Sequence, residues 1–311
     1  MKKTSEKIFA IVNPTSGSGG GRKKWPSIQR CLQEEVGFVD FEYTDASGHA
    51  MILAQEALKN GANVILAVGG DGTINEVVNG FFDGGKVINP RAVLGILPTG
   101  TGSDLVKTLQ LPKSIKDQIR LIKGSSVKKI DIGWARYLSH DGKPEGRYFL
   151  NLASAGIGGD VCEKVNRMDS RIFRGSWAYL KVSLEKLIHY QPKEIRIVID
   201  EEPPLKKKCS QIMVANGQFY GGGMHVAPKA AIDDGLFDVV IIGDLSFMDF
   251  LKAIPQLYGG TLHLHEKIHF QRARRVQLDS SENVLIDIDG ETPGRLPVLY
   301  EMIPKGLSIK M

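Results

Sequence analysis

The chain is 311 residues long, 42% apolar and 24% charged, with a formal net charge of +5. This length suits about two domains, each large enough for a core of its own, and the composition excludes a disordered or collagen-like chain. Cys31, Cys162 and Cys209 are the only cysteines and none forms a C-x-x-C pair, which speaks against a disulfide framework or structural zinc and suits a reducing compartment.

The start Met1-Lys2-Lys3 has the charge of a signal peptide, but the apolar run from Ile8 to Val12 is too short for the core of one. It reads instead as a buried strand, followed by a turn cluster from Asn13 to Gly21. A helical stretch with Ile28, Cys31 and Leu32 on one face comes next, then strand-like composition over 38–43 and helical spacing over 49–59. Residues 63–68 form a continuous apolar run ending at Gly69-Gly70, as expected of a strand covered on both faces. Residues 73–82 read as helix, 92–97 as another buried strand, and 103–109 as the opening of a further helix. Such alternation predicts a parallel sheet with helices on both sides.

The polar, Gly- and Ser-containing stretch 124–129 marks a boundary, giving expected domains of 1–126 and 127–311, with the last residues packing back on the first domain. Short β-like runs dominate beyond it, at 130–137, 148–153, 195–199, 211–215, 237–242, 284–288 and 298–303, with turn residues between them. One helical stretch, 176–189, interrupts the series. This half is expected to be a mainly antiparallel β domain. No apolar stretch approaches the ~18 residues of a membrane span, so membrane contact is expected to be peripheral. The modest positive charge favours anionic partners, or simply a well-solvated surface.

Three loops carry the strongest chemical signals. Gly69-Gly70-Asp71-Gly72-Thr73-Ile74-Asn75-Glu76 lies between a buried strand and a helix. Its glycines permit close approach by a large group, and Thr73 with Glu76 fits a capping box at the helix start. Free N–H groups there suit a phosphate, and Asp71 is a candidate to orient a metal or a water. The plainer alternative is an ordinary strand-to-helix turn. Asn13-Pro14-Thr15-Ser16-Gly17, continuing to Gly21, offers backbone and hydroxyl donors for phosphates, or else a flexible linker. It matches neither the Walker A nor the Rossmann spacing. Pro98-Thr99-Gly100-Thr101-Gly102-Ser103-Asp104 follows a third strand. Loops at the carboxyl ends of parallel strands share one sheet edge, where open α/β sheets bind ligands. Carboxylates also concentrate at Asp233-Asp234-Gly235 and at Asp287-Ile288-Asp289-Gly290-Glu291. They read either as hard-oxygen metal ligands and a base for phosphoryl transfer or as acidic hairpin turns.

Taken in order, Asn13–Gly17, Gly69–Glu76, Pro98–Asp104, Gly156–Asp160, Asn216-Gly217, Gly221–Met224, Ala227-Pro228, Asp233–Asp238 and Asp289-Gly290-Glu291 resemble the bacterial diacylglycerol-kinase and lipid-kinase family over nearly the whole chain. The resemblance implies a doubly wound nucleotide-binding domain, similar to NAD kinases and 6-phosphofructokinases, followed by an antiparallel β-sandwich. It implies ATP contacts at Asn13, Pro14, Thr15, Ser16, Gly17, Thr44, Gly69, Gly70, Asp71, Gly72, Thr73, Ile74, Asn75 and Thr101. It places Mg²⁺ at Asp234 with the carbonyls of Ala231 and Leu236. It makes Glu291 the base that activates a lipid hydroxyl and puts Asp131 in a structural water and metal network; Asp71, from its place in the loop, is the second candidate catalytic residue. Ser103 stands where the family often has Asn.

The implied activity is transfer of the ATP γ-phosphate to a lipid hydroxyl by a cytoplasmic enzyme touching the inner membrane surface. Its partners are expected to be a lipid and no nucleic acid, with a homodimer as one open arrangement. Arg167, Arg171, Arg174 and Lys181, beside Trp177, Leu180, Leu184 and Leu187, are a candidate membrane face or else ordinary packing. The alternatives to a lipid kinase are a soluble NAD or sugar-phosphate kinase and a non-catalytic nucleotide-binding regulator. No Gly-Ser-Thr-Ala-Tyr stretch of the kind expected in NAD kinases occurs.

Overall fold

The computed structural model describes residues 7–100, 104–168 and 176–311, with the side chains of all of these except 18, 176–180 and 187. Contacts divide the chain into residues 1–130 with 305–311, and residues 131–304.

In the first unit the chain runs β1 (Ile8–Val12), α1 (Ser16–Val36), β2 (Asp40–Tyr43), α2 (His49–Lys59), β3 (Val64–Gly69) and α3 (Asp71–Asn79). A small hairpin, β4 (Phe82–Asp83) and β5 (Lys86–Val87), precedes β6 (Val93–Pro98), α4 (Asp104–Thr108) and α5 (Ile115–Lys123). The strands pair in parallel in the order β2-β1-β3-β6. β3 is buried at every residue because helices cover both faces, so it is apolar throughout rather than alternating. Ala10, Val12, Leu66 and Val68 pack with Trp25, Ile28 and Leu32 of α1 and with Ile119 and Ile122 of α5.

Two sequence expectations change here. The glycine cluster after Asn13 is not an extended loop, since α1 already begins at Ser16; Gly17 and Gly19 nonetheless hold positive φ, so its first turn is irregular. The capping box at Thr73 and Glu76 does not form. α3 starts two residues earlier, behind Gly70, without a side-chain cap. The Glu76 carboxylate instead accepts the Ala50 N–H at 3.2 Å and the Ser47 hydroxyl at 3.3 Å, satisfying the start of α2.

The second unit begins within β7 (Val127–Ser139), at Asp131, and runs through β8 (Pro144–Phe149), β9 (Leu152–Gly156), α6 (Ile157–Arg167), α7 (Ser176–His189), β10 (Lys193–Ile199), β11 (Leu205–Cys209) and β12 (Gln211–Ala215). It continues through β13 (Phe219–Tyr220), β14 (Met224–His225), β15 (Phe237–Ile242), α8 (Phe247–Gly259), β16 (Ile268–Ala273), β17 (Arg275–Asp279), β18 (Leu285–Ile288) and β19 (Glu291–Lys310). The last residues of β19 belong to the first unit, where Ile309 pairs in parallel with Leu94. One layer has the order β16-β15-β12-β9-β18-β19 and is antiparallel. β10, β11 and β17, with β7 and β8, join through β19 to form the facing layer.

Ile212 and Val214, Val239 and Ile241, and Ile286 and Ile288 point from the first layer into the sandwich core. There Phe149 stacks on Phe237, with ring centroids 5.6 Å apart. Strand alternation sends the neighbours of these residues to the opposite face. Leu152, Met213, Ala215, Val240 and Ile242 form a second apolar cluster there, under Ala253 and Leu257 of α8. Both α6 and α8 were unexpected from sequence.

Candidate active site

In the first unit the strand order reverses between β1 and β3, the switch point at which open sheets bind ligands. Asn13, directly after β1, spans it. Its side-chain amide donates to Thr73 Oγ1 at 2.9 Å, and its Oδ1 accepts the Thr15 N–H and the Ser16 N–H at 3.0 and 3.2 Å. The Ser16 and Thr99 hydroxyls lie 2.6 Å apart, tying in the loop after β6. Thr99 N–H donates to Gly69 O at 2.9 Å.

These approaches require glycine. A Cβ on Gly17 would stand 2.3 Å from Thr99 O, one on Gly69 2.4 Å from Thr73 Oγ1, and one on Gly100 2.8 Å from the Gly70 Cα. Thr44, at the end of β2, joins the same edge through its N–H to Val12 O at 3.0 Å. An Asp71 oxygen accepts the Asp104 N–H at 3.3 Å.

The structure thus gathers Asn13, Ser16, Gly17, Thr44, Gly69, Gly70, Asp71 and Thr73 at one edge. Pro14 and Thr15 serve it through their carbonyls, which accept the N–H groups of Arg22 and Gly19. Gly72 lies within α3. Ile74 and Asn75 are buried with 1% exposure each, so their side chains belong to the packing of α3. Thr101 and Ser103 lie outside the described residues.

In the second unit Asp289 and Gly290 form a tight turn between β18 and β19, both with positive φ (49° and 86°), the geometry of an Asp-Gly hairpin. The hairpin reading of this acidic cluster therefore holds, and the turn is what presents Glu291. Asp289 is committed to structure: its carboxylate accepts the backbone N–H groups of Leu150, Asn151 and Leu152 at 2.8, 3.0 and 2.9 Å. Gly290 O accepts the Cys162 thiol at 2.9 Å and the Asn166 amide at 3.1 Å, fixing the turn against α6. Glu291 is half-buried at the first residue of β19.

Asp287 is fully buried. Its Oδ2 accepts the Tyr220 hydroxyl at 2.6 Å and its Oδ1 the Gly290 N–H at 2.8 Å. Burial pushes its pKa up to about 7, against the opposing pull of those two donors, and Asp289 and Glu291 add to the rise. Strand alternation already marks this acid as odd, since it points away from its apolar neighbours Ile286 and Ile288.

Asp131, also fully buried, accepts the Gly235 N–H at 2.6 Å, and its own N–H donates to Ile232 O. It shapes the turn that carries Ala231, Asp234 and Leu236. Asp234 Oδ1 accepts the Leu236 N–H at 3.1 Å, while Oδ2 pairs with the Arg272 guanidinium. The same guanidinium lies 4.0 Å from Asp238, whose carboxyl burial holds above the ordinary carboxylate range. A positive charge is thus already drawn to this turn. One carboxylate and two carbonyls fit a hard cation. Among the described residues, however, no group of three or more His, Cys, Asp or Glu side chains stands ready to hold a metal.

A narrow cavity, partly open to solvent, lies on the outer face of the β12 layer, beneath α6 and α8. Met213, Met224, Val226, Ile242, Leu257 and Ile268 line it, and Tyr220 and Gln211 bring polar atoms to its wall. No sequence signal announced it beyond the apolar periodicity of the strands.

The membrane face expected near 164–189 is only partly described. Arg171, Arg174 and the side chains of Trp177, Leu180 and Leu187 lie outside the described residues. Lys164 pairs with Glu185 at 2.5 Å and Arg167 with Glu163 at 2.9 Å, so those two cations face acids of the chain itself.

A glycine-lined switch-point site in one unit and an antiparallel sandwich in the other define a fold shared with solved kinases. A crystal structure of a diacylglycerol kinase from Bacillus anthracis is 22% identical, covers 99% of this chain and 98% of its own, and has a TM-score of 0.73. An NAD kinase from Archaeoglobus fulgidus in complex with ATP is 14% identical over 98% of this chain and 93% of its own, with a TM-score of 0.51.

The diacylglycerol kinase catalytic domain model matches residues 7–135, and the YegS C-terminal NAD kinase beta sandwich-like domain model matches residues 151–311. A diacylglycerol kinase of Staphylococcus saprophyticus is 30% identical over 289 residues, 92% of this chain and 89% of that protein. The chain belongs to the diacylglycerol kinase family.

Proposed function

We propose that this protein is a Mg²⁺-dependent lipid kinase that transfers the γ-phosphate of ATP to the hydroxyl of diacylglycerol or a related lipid. The observation that carries the lipid half of this reading is the cavity of the second unit, lined mostly by apolar side chains, with Ser183, Ser210, Gln211 and Tyr220 between them and no charged group among the described residues. A sugar phosphate or a dinucleotide acceptor calls for polar and cationic walls, whereas a fatty chain calls for this one.

The nucleotide half rests on the switch-point loops. Their close backbone approaches leave N–H groups and hydroxyls for phosphate oxygens, and the first turn of α3 adds its positive dipole end. In the reaction, Glu291 takes the proton of the lipid hydroxyl while its oxygen attacks the γ-phosphorus. The bond to the β-phosphate oxygen breaks, giving phosphorylated lipid and ADP. Phosphoryl transfer asks the protein mainly for positioning and charge compensation. Asp289 and Cys162 contribute positioning by holding the turn that bears Glu291. Mg²⁺ supplies charge neutralisation when bound, with Asp234 and the carbonyls of Ala231 and Leu236 as its proposed ligands. Among the described residues no helix is long and apolar enough to cross a membrane, and the enzyme is proposed to meet its lipid peripherally at the inner membrane surface.

The test is transfer of label from γ-labelled ATP to diacylglycerol, phosphatidylglycerol and a sphingoid base in mixed micelles, with NAD and a sugar phosphate alongside. Label in a lipid is the expected result. Label only in NAD or the sugar phosphate, or ATP binding with no acceptor at all, would remove this reading.

A further inference from the structure

Three polar residues interrupt the apolar outer face of this layer, and one of them, Gln211, lines the cavity. Alternation along β12, β9 and β18 puts Gln211, Ser154 and Asp287 on the same side as Met213 and Leu152. Asp287 is satisfied by Tyr220 and Gly290. Gln211 is not: it lines the cavity with 8% exposure, and among the described residues its buried amide nitrogen has no hydrogen-bond partner. The Ser154 hydroxyl, fully buried, has none among them either. A Cβ on Gly158 would stand 2.3 Å from Gln211 Nε2 and 2.9 Å from Ser154 Oγ, so the two polar groups converge beside a residue that must be glycine.

Buried donors without partners are uncommon and call for an explanation. This one belongs to a residue that lines a mostly apolar cavity, beside Gly158 of the same lining, where an anion would be desolvated without compensation and a neutral acceptor would not. An ester carbonyl at the head of a fatty chain is a neutral acceptor joined to the apolar group that the cavity fits.

We propose that the Gln211 amide donates a hydrogen bond to the acyl carbonyl of a lipid whose chain occupies this cavity, making Gln211 a specificity residue for ester-linked over ether-linked acceptors. The assignment rests on the lipid-kinase reading, since it takes the cavity as the acceptor's chain site. An ether analogue leaves the donor unpaired, which a site built around a hydrogen bond penalises.

The test is calorimetric binding, without ATP, of dioctanoylglycerol and of its dioctyl ether counterpart to the full chain and to Gln211→Leu. The wild type is expected to prefer the diester by roughly tenfold. In Gln211→Leu the ratio should fall to about one, with ether affinity unchanged or higher and melting temperature not lowered, because the orphan donor is gone. Gln211→Glu, which sets a carboxylate against the carbonyl, should lose diester binding selectively and keep binding an ATP analogue. Equal affinities in the wild type, a preference that survives Gln211→Leu, or no binding of either lipid overturns the assignment. Diester preference without phosphorylation of any lipid would remove the kinase reading and leave the site. Phosphorylation without that preference would do the reverse.

Discussion

Asp289 offers the sharpest test of how the site is held. Its carboxylate receives three backbone N–H groups, two from the connection between β8 and β9 and one from the first residue of β9, and Leu150 and Leu152, which supply two of them, are each only 1% exposed. Those two amides cannot turn to water when the carboxylate is removed. At about 2 kcal/mol for each buried donor left unpaired, and about 1 kcal/mol more for alanine at φ +49°, Asp289→Ala should cost about 4 to 6 kcal/mol. Asp289→Asn tolerates the backbone conformation and keeps one oxygen for Asn151 and Leu152, but turns an NH₂ toward Leu150 N–H. It should cost about 2 kcal/mol. Urea unfolding followed by tryptophan fluorescence and by far-UV circular dichroism measures both, and agreement between the probes shows whether one transition is being read. A loss below about 1 kcal/mol for Asp289→Ala would refute the claim that this acid is a structural clamp rather than a metal ligand or base.

The buried Asp287 should leave a signature in pH. Its folded pKa of about 7 lies above its ordinary value of 3.8, so between those values the folded chain holds a proton that the unfolded chain has lost. The Asp287 contribution to stability should therefore fall as pH rises from about 4 to about 7 and stay lost above it; Asp287→Asn should remove that slope, and an unchanged slope would show that Asp287 does not titrate there. Gly100→Ala pushes a Cβ to 2.8 Å from the Gly70 Cα and must force the loops after β3 and β6 away from each other. Calorimetry with a non-hydrolysable ATP analogue should show affinity reduced roughly tenfold, whereas wild-type affinity would take these loops out of nucleotide binding. Asp234→Asn should raise the Mg²⁺ concentration needed for half-maximal transfer, and an unmoved titration curve would show that Asp234 holds no catalytic metal.

The first unit was legible because its signals are local. A strand buried on both faces is apolar at every position, as 63–68 is, and the glycines after it lie where backbones must nearly touch. The start of α3 was misplaced for an equally local reason: Thr73 and Glu76 have the spacing of a capping box, but each is claimed by a distant partner, Asn13 and Ala50. α6 and α8 were hidden in the second unit. Gly158 and Gly159 lie in the first turn of α6, and Pro255 lies inside α8. All three residues discourage a helical reading that tertiary packing then enforces.

At the site, sequence brought Glu291 and the Asp-Gly turn together but left open whether the cluster was chemical or structural. The structure assigns Asp289 and Asp287 to the turn, through their hydrogen bonds to backbone N–H groups, and puts Glu291 directly after it, at the first residue of β19. The cavity and the Gln211 amide nitrogen, unpaired among the described residues, arise from elements far apart in sequence, and no spacing rule reports such an encounter.

The most direct measurement is single-turnover phosphoryl transfer from ATP to diacylglycerol by Glu291→Gln, with ATP-analogue affinity determined on the same sample. A neutral amide of the same shape should slow transfer by about 10² or more while leaving nucleotide affinity nearly unchanged. Transfer at a rate comparable to the wild type would contradict the assignment of Glu291 as the base.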